Sequence, residues 1–176
     1  GLTEFIPVSS SGHLVLAQRV LGLEEGAFTF DIMVHLATAL SVILVLRKDI
    51  GRIILDLAAA YKDILPARRM GTGNPGVRLT MLIIVGSIPT FVMAILFKDF
   101  FEGLYVTGKS LGIEFIATGV LLWYAETVRN SGKGLEKMSY TDSVFIGFMQ
   151  GTAILPAISR SGATIAGALI RGLKRD

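Results

Sequence analysis

Two short polar segments interrupt otherwise apolar stretches of this chain. Residues 3 to 18 read TEFIPVSSSGHLVLAQ, and residues 156 to 162 read PAISRSG. The first packs Glu4, Ser9, Ser10, Ser11 and His13 into a sheltered window, and the second holds Ser159, Arg160 and Ser161. Each Ser/Gly run contains a glycine, Gly12 or Gly162, just before an apolar helical stretch. The first turn of such a helix offers unpaired backbone N–H groups and the positive end of a dipole, a setting that suits phosphate or carboxylate. Arg160 adds a fixed positive charge whose planar fork matches phosphate oxygens. A charged side chain inside an apolar span is costly, and by default it marks a functional site.

Glu4 stands on the other arm of the first loop from His13, so the two can approach across it. A carboxylate beside an anion site calls for a cation between them. A hard divalent ion, Mg²⁺ or alternatively Ca²⁺, would bridge Glu4 and the phosphate oxygens. His13 begins a helix, where the dipole disfavours imidazolium and leaves a neutral ring able to accept a proton. Ser10, three residues earlier, is a candidate nucleophile with His13 as its base. His13 itself and water are the other candidates. These parts suit hydrolysis of a phosphate or diphosphate ester carried on a lipid. Plainer roles compete. Serines in membrane loops often cap helices or bond between them. His35 reads as packing or hydrogen bonding, Asp31 and Glu114 as hydrated groups near span ends, and Thr164 and Gln150 as partners for backbone groups.

The elements that must position these residues are membrane helices. Only 18% of the 176 residues are charged and 52% are hydrophobic, with a mean hydropathy of +0.63. Soluble domains carry about 25% charged residues. Cysteine is absent, which excludes disulfides and thiolate metal sites. The net charge of +3 is spread in short basic blocks beside apolar windows, so nucleic acid is not an expected partner. Residues 27–46, 79–97 and 111–126 read as transmembrane helices. Residues 1–23 and 143–172, broken by Pro7, Pro156 and the Ser/Gly runs, read as re-entrant hairpins. The basic segment 47–78 belongs on the cytoplasmic side, with an interfacial amphipathic helix in its middle, and the neutral loop 98–110 on the outside. An offset of 150 lays Ser9, Ser11 and Gly12 on Ser159, Ser161 and Gly162, and Ser10 on Arg160. Three intervening spans make the two copies enter from opposite sides, the geometry of inverted repeats with broken helices. The predicted fold is a single all-α integral membrane domain over residues 1–176.

The segments GLTEFIPVSSSGHL and PAISRSGATIAG closely resemble the two signature segments of the undecaprenyl-diphosphate phosphatase family, the bacitracin-resistance type of membrane phosphatase. The order and spacing of the spans fit too, including FDIMVHLATALSVILVLRKD, so the resemblance covers essentially the whole chain. It implies a multi-pass enzyme of the cell membrane that removes the terminal phosphate of undecaprenyl diphosphate. The product is the monophosphate carrier lipid that cell-wall (peptidoglycan) synthesis reuses, and bacitracin resistance follows because that antibiotic sequesters the diphosphate. The implied partners are the polyprenyl diphosphate substrate, membrane lipids and a divalent cation; a homodimer is an option the sequence leaves open. By motif, Glu4 matches an acidic residue of the family's glutamate-rich element, Ser10 and His13 its proposed nucleophile and acid/base, and Ser159, Arg160 and Thr164 its phosphate-binding segment. Ser9, Ser11, Gly12, Ser161 and Gly162 join that phosphate-binding set from the loop argument above.

Two departures stand out. The family's first acidic residue would precede Gly1, and its usual Pro-Gly is Pro156-Ala157 here. If that glycine needs a positive φ, alanine strains the loop. The chain is expected to be a fragment lacking both ends and inactive by itself. A polyprenyl-phosphate flippase that uses the same anion site without chemistry is the competing reading.

Overall fold

The computed structural model describes residues 2–22, 27–64, 75–107, 109–128 and 132–174. They form nine α-helices: α1 Leu2–Phe5, α2 Ser10–Leu21, α3 Ala27–Val45, α4 Arg47–Ile64, α5 Pro75–Leu96, α6 Lys98–Thr107, α7 Leu111–Thr127, α8 Tyr140–Thr152 and α9 Arg160–Ile170. A 3-10 turn spans Leu135–Lys137, and an isolated bridge pairs Lys133 with Leu173. No strand occurs among the described residues. The all-helical expectation therefore holds, and α4 covers the segment read as an amphipathic helix.

Helix α5 is 22 residues long, starts four residues before the expected span, and runs through Pro89 without a break. Among the described residues it is the one helix long and apolar enough to cross a membrane. The apolar part of α3, Ile32–Val45, is shorter, as is α7 at 17 residues. All three helices expose large apolar side chains: Leu36, Leu40 and Ile43 on α3, Ile84, Phe91 and Ile95 on α5, and Ile113, Ile116 and Trp123 on α7. A water-facing monomer rarely carries so much contiguous apolar surface.

The closest packing joins α5 to α8. Gly86 and Gly147 face each other so tightly that a Cβ on Gly147 would overlap the Gly86 carbonyl. Small residues let the two backbones approach, and hydroxyls then bond across. Thr90 Oγ1 donates to Gly147 O at 2.7 Å, and the Ser143 hydroxyl donates to the Leu82 carbonyl. Helix α9 packs on α8 and α7, with Ala125, Ala166 and Leu169 buried at the junction with α7. Leu82, Met138 and Leu173 form a second cluster, and Val15, Leu111 and Ala157 a third.

Asp142 fixes one end of this assembly. It sits at N3 of α8 and completes a capping box with Ser139. It is fully buried and accepts from Lys133 Nζ, from Arg171 Nε at 2.8 Å and from Ser139 N at 2.8 Å. Burial pushes its carboxyl up, but these donors outweigh burial and hold it well below the usual carboxylate range. The Arg171 guanidinium also lies over the Phe145 ring, 5.7 Å from its centroid. The start of α8, the end of α9 and the strand-like segment at Lys133 are thus tied to one carboxylate.

Candidate active site

Each polar loop ends in a serine that caps the next helix. Ser9 Oγ accepts from Gly12 N at 3.3 Å and Ser159 Oγ from Gly162 N at 3.1 Å. These caps occupy the N–H groups of both glycines, which therefore face their own serines rather than a bound anion. Helix geometry leaves the N–H groups of Ser10 and Ser11, and of Arg160 and Ser161, without intrahelical acceptors.

The loops also bond to each other. Ser9 Oγ donates to Pro156 O at 2.8 Å and Ser11 Oγ to the same oxygen at 3.0 Å. Gly12 is needed for this approach, because a Cβ there would lie 2.8 Å from Ala157 Cα and 2.9 Å from Phe115 Cζ. Ser9 has φ 60° and ψ 93°, and it is the only non-glycine with positive φ among the described residues. Such a backbone costs about 1–3 kcal/mol and persists where its surroundings over-determine it. Here four bonds do so: the two through Oγ, and Ser9 O accepting from His13 N at 3.2 Å and from His13 Nδ1 at 2.8 Å. Ala157 has no positive φ, so alanine in place of the family's glycine strains nothing. Its methyl group is fully buried against Val15 and Leu111.

A cavity of about 400 Å³ opens where the loops meet. Glu4 from α1, Ser9, Ser10 and Ser11 line one side, and Ser159, Arg160, Ser161 and Thr164 line the other. Thr3, Gln150 and His35 complete the polar wall. The site residues predicted on the two loops thus share one cavity, except His13, Gly12 and Gly162, which stand behind it. Thr164 Oγ1 donates to Arg160 O and Ser161 O, both at 3.0 Å, as well as facing the cavity.

The two histidines fall differently from expectation. His13 is on the first turn of α2, edge-on to Phe115 with ring centroids 4.9 Å apart. A carbonyl only accepts, so its bond to Ser9 O puts the hydrogen on Nδ1 and leaves Nε2 as the basic nitrogen. His35, expected to pack or hydrogen-bond, lies on the cavity wall with Nε2 3.5 Å from Glu4 Oε1, so the polar half of that expectation is the one that fits. No group of three or more metal-ligating side chains occurs among the described residues, so Glu4 is the hard donor on this wall.

Over residues 1–176 the chain matches the family model described as bacitracin resistance protein BacA. The chain belongs to the BacA family. It is 50% identical over 176 residues to an undecaprenyl-diphosphatase of Carboxydothermus hydrogenoformans, covering all of this chain and 60% of that protein. It is 41% identical to proteins of the same name from Alkaliphilus metalliredigens and Halothermothrix orenii, covering 64% and 62% of them. The chain spans about three fifths of the length of these curated relatives.

Within this BacA-family chain, Glu114 departs from the sequence expectation, and His35 joins the cavity that the expectation left it out of. Glu114 is only 3% exposed, not hydrated, and its Oε2 accepts from Ala157 N at 2.7 Å. Its spacing from Thr118, four residues on and hence on the same helical face, was the available signal. The side chain of Asp31 lies outside the described residues.

Proposed function

We propose that the full protein hydrolyses undecaprenyl diphosphate to undecaprenyl phosphate and inorganic phosphate, as a multi-pass enzyme of the cell membrane that returns carrier lipid to peptidoglycan synthesis. That activity would also give resistance to bacitracin. Carrying the reading is a single cavity in which Glu4 and the three serines of one loop face Arg160 and the hydroxyls of the other. Family membership and the names of the relatives point the same way. The exposed apolar flanks of α3, α5 and α7 suit a lipid surround, and the two loops suit re-entrant hairpins of an inverted repeat.

In this reading Arg160, the Ser159 and Ser161 hydroxyls and the first-turn N–H groups of α9 bind the phosphate oxygens. An oxygen nucleophile, Ser10 or a water, bonds to the terminal phosphorus while the bond to the bridging oxygen breaks. Undecaprenyl phosphate leaves with that oxygen. The nucleophile's proton passes to an imidazole: His35, which lines the cavity 3.5 Å from Glu4 Oε1, or His13, which lies outside the lining but one turn of α2 from Ser10 and has Nε2 as its basic nitrogen. If Ser10 attacks, water then cleaves the phosphoserine and releases phosphate. Glu4 can hold a divalent cation of the Mg²⁺ type, since that ion commonly binds through one or two carboxylates plus substrate phosphates. When bound, the ion neutralises charge on the phosphate oxygens.

The test uses the full-length protein in detergent with a long-chain polyprenyl diphosphate, with and without chelator. Arg160→Ala and Glu4→Ala are expected to lower phosphate release by at least about a hundredfold, the scale of losing a group that stabilises the transition state. Persistence of release in both variants would remove this cavity from the reaction. Lipid transfer between leaflets without phosphate release would make the protein a carrier. His13→Gln and His35→Gln, compared over pH, identify the proton acceptor as the variant that loses the fall in rate at acid pH.

A further inference from the structure

Helix α7 reaches the second loop with two buried polar side chains one turn apart. Glu114 Oε2 accepts from Ala157 N at 2.7 Å. Thr118, 5% exposed, donates to Ala157 O at 3.1 Å and accepts from Ser159 N at 3.3 Å. Three backbone groups of residues 157–159 are thereby satisfied from outside the loop, which has no regular structure to satisfy them itself. Ser159 is then free to cap α9, and Arg160 follows it directly at the cavity.

A carboxylate is an expensive way to accept one N–H. The other oxygen of Glu114, Oε1, is buried with no partner among the described residues. An acceptor that carries charge makes a shorter and stronger bond than a neutral one. We propose that Glu114 and Thr118 are positioning residues that lock the loop and so aim Arg160 and Ser159 at the substrate phosphate. This rests on the reading that Arg160 binds that phosphate.

Two readouts on the full-length protein in detergent separate the claims. Amide hydrogen exchange at residues 157–159 requires no activity, and Glu114→Leu and Thr118→Val are each expected to speed it at least about tenfold. Phosphate release is expected to fall about a hundredfold in kcat/KM for Glu114→Leu, the scale of a misplaced reacting geometry. Glu114→Gln, whose carbonyl can take the Ala157 N–H, should stay within about fivefold of wild type. In an Arg160→Ala background, Glu114→Leu should cost less than about threefold more, because Glu114 acts mainly through the placing of Arg160. Unchanged exchange, or losses that multiply in full with Arg160→Ala, overturns the proposal, as does a Gln variant as impaired as Leu. If Glu114→Leu does not fold, Glu114→Gln and Thr118→Val carry the same test. Absence of phosphate release from the wild type would sink the functional reading alone, since exchange still reports on the loop.

Discussion

Gly12 and Ser9 show how closely the two loops are fitted. Gly12→Ala would drive a Cβ to 2.8 Å from Ala157 Cα and 2.9 Å from its Cβ. Overpacking of this kind costs about 1–3 kcal/mol, read as a lower midpoint of thermal unfolding in detergent. Ala157→Gly in the same chain should restore only part of it, because the backbone clash remains. Ser9→Ala removes two hydrogen bonds and keeps the positive φ, so it should cost more than an ordinary helix cap, which is worth about 1 kcal/mol. Ser9→Gly relieves the backbone while losing the same bonds, and it should therefore be the milder of the two. That these positions belong to one polar site was legible in the sequence, since Glu4, Arg160 and the serines are polar groups with no cheap reason to sit in apolar windows. Their division of labour was not. Whether a serine faces a ligand or caps its own helix depends on its φ and on a carbonyl 147 residues away, and neither leaves a local pattern.

At the scale of the elements, the start of α8 and the end of α9 depend on Asp142. Its carboxyl lies below its unfolded value, so its contribution to stability is present above the unfolded pKa of about 3.9. It is lost as pH falls below that value towards the depressed folded one. Thermal midpoints measured between pH 7 and pH 3 should fall at the acid end, and Asp142→Asn should flatten that limb. Asp142→Ala is expected to cost roughly 3 kcal/mol, the lower end of the range for removing one partner of a buried pair. Lys133 and Arg171 are partly exposed and can turn to solvent, which keeps the cost there. The helices themselves were readable from apolar length and from Ser/Gly punctuation. The start of α5 was misjudged because Arg78 looked like a span boundary, whereas its guanidinium folds back onto the Leu135 and Met138 carbonyls. Glu114 was misjudged because a span-end position says nothing about which way a side chain faces.

For the whole molecule, the positive-inside argument predicts an orientation that is open to direct measurement. These 176 residues hold no cysteine, so once any cysteine elsewhere in the full protein is replaced by serine, single cysteines report without a background. A cysteine at Arg52 on α4 should react with a membrane-impermeant maleimide only after the cells are permeabilised. One at Lys109 should react in intact cells. The opposite pattern would invert the topology, and labelling of both from outside would remove the span between them. Helix class and the pairing of the two Ser/Gly loops could be inferred from the sequence because the repeat lies in the residue types. The contact between the loops could not, since it is made by hydroxyls to one carbonyl and by glycine packing.

The hydrogen bonds from Ser9 and Ser11 to Pro156 have a consequence during biosynthesis. Their acceptor lies 147 and 145 residues downstream of the donors. At about 5–20 residues per second of translation, the first Ser/Gly loop leaves the ribosome roughly 7–30 s before its mate exists. Through that interval Ser9 has no reason to hold its positive φ, and Glu4 has no arginine across from it. A nascent chain halted before Pro156 should therefore show the first loop in a different, crosslinkable arrangement, and should reach its final one only once the second loop arrives.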